Sequence, residues 1–475
     1  MEDIYHVIMD SFKQKVPVLK DGRNIICNPD GGYVFNEGAT QPLKGVGLVC
    51  LDRLRKDLLL LCDGTHSVEE IGQILEGEYK APFERICALV DLLHWQDIIE
   101  LKATKEKDRL EISISGDVSR YIPMHLAIEL TSRCNFRCTH CYRGSGPEKD
   151  DILPLGVVRQ AITDLTERGC GVIEVTGGEP LMHSEALEFL KLCCNLPYLK
   201  IVVLLTNGYF LDKEFIYELK DYIQLKKLIF SITIDSSLPD FHDNHRKFEG
   251  SWKRAVDAIE LIAKERGMVR VVMNVLPENM DDIKETLLLA KSIGATIFAP
   301  NIALPFGRGA EVNWTSVEEI KLKKFQDDWK YINSKYADFL FKPPAGVEEE
   351  VNKGNCGLGH RSWTIGPSGE VRPCIMMPEG LLPLGNIRTD SVEKISINPV
   401  IPLLQRLRSP GTFPECSFCK YNNFCPYCLQ RAICATQEYN SCAILKDHGL
   451  EEYINRENIG HYRCQIVTPN LLFQK

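Results

Sequence analysis

Cys134, Cys138 and Cys141 stand in the run Thr131-Ser-Arg-Cys-Asn-Phe-Arg-Cys-Thr-His-Cys-Tyr142, a C-x3-C-x2-C spacing. Three thiolates can hold three irons of a cubane [4Fe-4S] cluster, whose four irons each take one protein ligand in an ordinary electron-transfer site. The fourth iron would then be open to a reactant. Two blander readings use the same residues: half of a zinc site, or thiols packed in a core. Position argues against both. Met124-His-Leu-Ala-Ile-Glu-Leu130 alternates and is apolar enough for a buried strand. The cysteines therefore fall on the loop after its carboxyl end, where barrel enzymes place their chemistry.

Further chemistry-bearing residues follow in order at the ends of strand-like runs: Thr176-Gly177-Gly178-Glu179-Pro180, Thr206-Asn207-Gly208, then Thr233 and Asp235, and Asn274. His242-Asp-Asn-His-Arg246 comes between the last two groups. Paired glycines let backbone approach a ligand closely. The runs near 126–130, 171–176, 199–205, 227–235, 270–276 and 296–300 predict strands, with helical patterns such as Leu155–Arg168 and Trp252–Arg266 between them. Six strand-then-helix repeats predict an α/β fold, a partial (β/α)6 TIM barrel with an open side that would admit a peptide.

This core resembles the radical S-adenosylmethionine (SAM) superfamily. The resemblance implies that Cys134, Cys138 and Cys141 bind a [4Fe-4S] cluster whose open iron chelates the amine and carboxylate of SAM, and that one electron releases a 5'-deoxyadenosyl radical. It implies roles near the methionine end of SAM for Gly177, Gly178 and Glu179 (the GGEP motif), and a place at the same site for Thr206 and Asn207. Thr233 and Asp235 match an S-x-D pattern near the ribose. Arg246 closes an H-D-x-x-R run and would pair with the SAM carboxylate, a task suited to a permanently charged planar donor. His140 occupies a position that is usually aromatic, with its ring against adenine. Asn274 lies where the family reads G-x-I-x-x-P, here with Val272 in place of glycine.

The 475 residues carry a net charge of -9, with 44% hydrophobic and 25% charged residues, ordinary for a soluble globular chain. No long basic run points to nucleic acid. No apolar run is long enough for a membrane span, and the amino terminus lacks a secretion signal, so a cytoplasmic protein without membrane contact is expected. In that compartment 19 cysteines argue for metal rather than disulfides. Cys27, Cys50, Cys62, Cys87, Cys170, Cys193, Cys194 and Cys464 sit in apolar patterns and read as packing residues.

Residues 1–103 predict a winged-helix-like unit. Asn24–Cys27 and Gly32–Phe35 form a hairpin about Asn28-Pro-Asp-Gly31, and a helix runs near Val46–Cys62. Ser67-x-x-Glu70 is a capping box opening a second helix with Ile71, Ile74 and Leu75 inward, and a third follows Pro82 with Ile86, Leu89, Val90 and Leu93 inward. Leu60-Leu-Cys-Asp-Gly-Thr-His-Ser-Val-Glu-Glu-Ile71 resembles the PqqD-like recognition element of enzymes acting on ribosomally made, later modified peptides (RiPPs). The resemblance implies that a leader peptide adds as a strand to the hairpin edge. A helix-turn-helix DNA reader is the rival, disfavoured by the acidic chain.

Toward the other end, Cys356 and Cys374 flank a strand-turn-strand and precede Cys416-x2-Cys419-x5-Cys425-x2-Cys428, Cys434 and Cys442. Paired C-x2-C units also build zinc ribbons. The order resembles the SPASM domain, which carries auxiliary iron-sulfur clusters. That resemblance implies one cluster on Cys416, Cys419, Cys425 and Cys442, with Cys434 able to replace Cys442, and another on Cys356, Cys374 and Cys428 with an iron open to a substrate thiolate. Three [4Fe-4S] clusters are expected in all. The parts divide as 1–103, a linker 104–120, a core 121–310, a bridge 311–345, the SPASM domain 346–450 and a tail 451–475.

Together they resemble radical SAM maturases of RiPPs, with phrasing closest to the subtilosin-type sactipeptide maturases. This implies a precursor peptide as substrate, a flavodoxin or ferredoxin-type electron donor, and cysteine thioether crosslinks to an alpha or beta carbon. A carbon-carbon crosslinking or epimerising maturase and an anaerobic sulfatase-maturase-like enzyme remain alternatives, as does a non-catalytic peptide carrier.

Overall fold

A computed structural model describes residues 10–36, 48–314, 317–341, 356–408, 414–418, 428–437 and 442–460. Among the predicted ligands Cys419 and Cys425 lie outside the described residues, as does Cys464. The chain divides into two compact units after Ile122.

In the first unit β1 (Val16–Leu19), β2 (Arg23–Asn28), β3 (Gly31–Asn36) and β4 (Leu48–Asp52) precede α1 (Arg53–Leu60), α2 (Val68–Tyr79) and α3 (Phe83–Trp95), and β5 (Ile99–Lys102) and β6 (Ser113–Gly116) follow. β2 and β3 form the predicted hairpin. Where the pattern predicts a helix from Val46, Leu48–Asp52 is a strand paired with β3, and Asp52 caps α1 by accepting from the Arg55 N–H. Pairing with a neighbouring strand overrides local periodicity there. The capping box of Ser67 and Glu70 is present. Ile74 is exposed rather than inward, because Val68, Ile71 and Leu75 complete the buried stripe without it.

Ser113–Gly116, within the predicted linker, pairs in parallel with β2, so the sheet order is β4-β3-β2-β6. Both sides of the hairpin are therefore taken, and the expected leader-binding edge is not open there. The outer edges of this sheet are those of β4 and β6. Cys27, Cys50, Cys62, Cys87, Cys170, Cys193 and Cys194 are buried in the two units, consistent with packing.

In the second unit β7 (His125–Glu129), β8 (Val172–Thr176), β9 (Ile201–Thr206), β10 (Leu228–Thr233), β11 (Met268–Val275) and β12 (Ile297–Ile302) lie parallel in chain order. The crossovers contain α4 (Leu155–Glu167), α5 (Ala186–Asn195), α6 (Lys213–Glu218), α7 (Lys220–Gln224), α8 (Pro239–Arg246), α9 (Ser251–Lys264) and α10 (Ile283–Ser292). Runs such as Ile-Val-Val-Leu-Leu in β9 are what strands covered on both faces require. The predicted motifs fall at or just beyond the carboxyl ends of these strands, except His242–Arg246, which lies in α8.

The cysteine-rich segment is not a separate layer. Its β13 (Ser362–Ile365) adds in parallel to β7, and β14 (Glu370–Arg372) and β15 (Gly385–Asn386) continue antiparallel, giving one sheet of nine strands, β12-β11-β10-β9-β8-β7-β13-β14-β15. Trp363, 1% exposed, anchors this junction.

Candidate cofactor and active site

The loop after β7 buries Cys134 and Cys138 around Phe136, with Cys141, Tyr209 and Phe248 packed against them. Its backbone is held from three sides. The Arg137 and Thr139 N–H groups donate to the Arg246 and His245 carbonyls at the end of α8, at 3.3 and 2.9 Å. Arg308 donates from Nε to the Cys138 carbonyl and from Nη2 to the Ser145 carbonyl, both at 2.7 Å. The Gly178 and Glu179 N–H groups donate to the Thr131 and Arg133 carbonyls at 2.7 and 2.8 Å. A Cβ on Gly177 would stand 2.4 Å from the Thr131 oxygen, and one on Gly178 2.2 Å from the Arg133 oxygen. The paired glycines are thus demanded by contact with the cysteine loop itself, where the sequence argument assigned them to a ligand.

The sulfurs act as acceptors, Cys134 from the Phe136 N–H at 3.4 Å and Cys138 from Arg246 Nη1 at 3.6 Å. Burial pushes the Cys134 thiol up to about 12 and raises Cys138 despite the Arg246 charge. Free thiols here would be poor nucleophiles, and thiolates would need a bound cation. Among the described residues no three His, Cys, Asp or Glu side chains gather tightly enough for a single metal ion. A cubane takes one thiolate per iron, around a larger body. Buried acceptor sulfurs spread along one loop, facing a cavity, fit such a cluster.

That cavity is about 790 Å³, and the three cysteines, His140, Gly177 and Gly178 line it. So do Thr206, Asn207, Thr233, Arg246 and Asn274. Two predicted residues stand behind the wall instead. Glu179, 1% exposed, accepts from Thr206 Oγ1 at 2.7 Å and the Asn207 N–H at 2.8 Å, while burial raises its pKa to about 7 against those bonds. Asp235, expected near the ribose, is fully buried: Oδ1 accepts from the Asn274 backbone and side chain at 3.0 Å each, and Oδ2 is 2.8 Å from Arg246 Nη2. Burial alone would raise its pKa, but the Arg246 charge holds the carboxyl well below its usual range. It supports the wall and does not form it. Burial drives His140 down to about 4, so its ring is neutral.

Residues beside the second cysteine field reach the same cavity. Ile375 and Met376, next to Cys374, line it together with Arg431. Cys374 accepts from the Met376 N–H at 3.4 Å, repeating the pattern at Cys134. Burial pushes Cys374 up to about 12, and Cys428 and Cys356 raise it further. Cys416 is buried, Cys434 lies fully buried in the helix Leu429–Gln437, and Cys442 is half-buried.

Sequence reasoning missed Arg308 and a buried ionic triad. Glu129, fully buried at the end of β7, pairs with Arg143 from the cysteine loop and with Arg372 from β14, the latter at 2.5 Å. The signal was present: a carboxylate inside an apolar strand needs a cation.

The Radical SAM superfamily profile matches residues 128–290, and the SPASM iron-sulfur cluster-binding domain profile matches residues 356–421. The antilisterial bacteriocin subtilosin biosynthesis protein AlbA of Bacillus subtilis (strain 168) is 30% identical over 451 residues, 93% of this chain and 99% of that protein. The AdoMet-dependent heme synthase of Methanosarcina barkeri (strain Fusaro / DSM 804) is 28% identical over 345 residues, 67% and 94% of the two chains. Among solved structures, Streptococcus suis SuiB bound to S-adenosylmethionine shares the fold with a TM-score of 0.59, over 90% of this chain and 99% of that one, at 13% identity.

Proposed function

The chain belongs to the radical SAM superfamily, in the branch that carries a SPASM iron-sulfur domain, and we propose that it is a maturase installing cysteine thioether crosslinks in a ribosomally made precursor peptide. The observation that carries this reading is the shared cavity, with Cys134, Cys138 and Cys141 on its wall and Ile375 and Met376, beside Cys374, on it too. A peptide lying there is within reach of both cysteine fields. Likeness to a subtilosin biosynthesis protein over nearly the whole of both chains supports the same reading, whereas likeness to a heme synthase stops at 67% of this chain.

Cys134, Cys138 and Cys141 would hold a [4Fe-4S] cluster with SAM on its open iron, a pair that supplies, when bound, a 5'-deoxyadenosyl radical able to remove a hydrogen atom from the peptide. Arg246, which lines the cavity, would supply the positive charge for the SAM carboxylate. The Gly178 carbonyl would receive the ammonium, beside Thr206 and Asn207, which Glu179 tethers. Thr233, Asn274 and His140 line the same cavity and would hold the nucleoside, His140 taking the adenine side. The electron left over after carbon-sulfur bond formation needs an acceptor, and Cys356, Cys374 and Cys428 are the residues to hold one. Cys416, Cys419 and Cys425, with Cys442 or Cys434, would hold a third cluster.

We read the six parallel strands as a partial barrel. Glu174 of β8 and Arg270 of β11 meet at 3.5 Å across three strand steps, a span of roughly 14 Å in a flat sheet. The first unit is read as the winged-helix-like, PqqD-like element, with the leader peptide adding at an outer edge of its sheet. No described helix is long and apolar enough to cross a membrane. A reducing cytoplasm with a flavodoxin or ferredoxin-type donor suits such an enzyme.

The test is anaerobic reaction with a precursor whose core contains cysteine. Two hydrogens should be lost per crosslink, and the product cysteines should resist alkylation. Replacing Cys428 by alanine should leave 5'-deoxyadenosine formation intact and suppress crosslinks. A modified peptide whose cysteines all still accept the reagent would exclude a thioether and favour a carbon-carbon or epimerising maturase.

A further inference from the structure

Arg246 is the last residue of α8, and its place beside Cys138 is set by backbone as well as side chain. The residues on either side of Cys138 donate their N–H groups to the last two carbonyls of that helix, Thr139 to His245 and Arg137 to Arg246. The guanidinium is thereby aimed inward at 7% exposure, with Nη1 3.6 Å from the Cys138 sulfur and Nη2 2.8 Å from Asp235 Oδ2. Asp235 is in turn fixed on every side. Asn274 donates twice to its Oδ1, the Asn279 amide donates to its carbonyl at 2.7 Å, and its own N–H donates to His242 Nδ1 at 3.1 Å. His140 Nε2 lies 3.6 Å from Oδ2, and burial keeps both histidines neutral. Other cations stand near as well: Arg308, bound to the Cys138 carbonyl, and Arg143, on the cysteine loop itself.

We propose that Arg246 and Asp235 act as an opposed pair setting the reduction potential of the cluster held by Cys134, Cys138 and Cys141. This role rests on the proposed SAM-binding cluster. Reduction adds a negative charge to the cluster, so a cation donating N–H to a ligand sulfur in a buried site stabilises the reduced state and raises the potential. Asp235 lies on the far side of the same guanidinium and offsets part of that charge. The two residues therefore push the potential in opposite directions, although they form an ion pair. Arg308, Arg143 and the neutral histidines are constant background.

The test is an EPR-monitored redox titration without SAM, so that loss of SAM binding does not enter. It uses the full-length chain with Cys356, Cys374, Cys416 and Cys428 replaced by alanine, to isolate this cluster, and is repeated in the unsubstituted holoenzyme. Arg246→Gln should lower the midpoint and Asp235→Asn should raise it, each by about tenfold in the ratio of reduced to oxidised cluster at fixed potential, or about 59 mV for one electron. Arg246→Lys, which keeps the charge and loses the fork, should fall between Gln and the native residue. If the Gln variant fails to retain iron, the Lys and Asn variants decide by the same opposition of sign. Unchanged midpoints, or shifts of one sign for both positions, would overturn the proposal. The underlying cluster assignment is tested separately, by whether the signal disappears when Cys134, Cys138 and Cys141 are all alanine.

Discussion

Replacing Glu129 by glutamine should loosen the junction between the core sheet and the cysteine-rich hairpin. Glu129 is fully buried between Arg143 and Arg372, whose side chains are 14% and 2% exposed. Burial depresses the pKa of both arginines, and their mutual repulsion depresses Arg143 further, to about 9. Glu379, 3.6 Å from Arg372 and partly open to solvent, is a weak substitute partner. Removing the carboxylate charge leaves two buried guanidiniums with little compensation, which costs about 3–5 kcal/mol. Hydrogen exchange of the amides in β7 and β13 would read this as a loss of protection between about a hundredfold and a few thousandfold. The companion variant Glu129→Leu/Arg143→Met/Arg372→Met removes all three charges, and apolar replacement of a buried ion triad is often near neutral. Its protection should return toward the native level. Unchanged protection in the single variant, or a triple variant as damaged as the single one, would refute the charge argument.

Replacing Cys134, Cys138 and Cys141 together by alanine should abolish 5'-deoxyadenosine formation while iron bound to the second cysteine field remains, as read by iron analysis. Gly178→Ala should lose iron at the first site, since its Cβ would stand 2.2 Å from the Arg133 oxygen; Gly156→Ala, on an exposed helical turn with open space around it, should load normally. Removing residues 1–122 should weaken precursor binding measured by fluorescence anisotropy without stopping SAM cleavage. Equal leader affinity with and without those residues would exclude them as the leader-binding element.

The six core strands, the capping box at Ser67 and the cysteine spacings were legible in the sequence because each depends on neighbours within a few positions. Apolar runs covered on both faces, a side chain folding back on its own turn, and three thiols on one loop need no distant partner to be recognised. Strand β4 was misread because Leu48–Asp52 is held by pairing with β3, and β6 was missed because Ser-Ile-Ser-Gly carries no signal until β2 lies beside it. The same division runs through the site. Motif order placed Thr206, Thr233, Arg246 and Asn274 on one cavity, but which residues form its wall and which stand behind it depends on packing that spacing does not encode. Asp235 became the buried partner of Arg246, across a strand end and a helix, and the glycine pair became the contact that lets two loops touch, with about 45 residues between them in the chain. The chemistry of the thiols was written in local sequence. The charges and hydrogen bonds surrounding them, which act over a few ångströms between distant segments, were decided only when the parallel strands brought their carboxyl ends together.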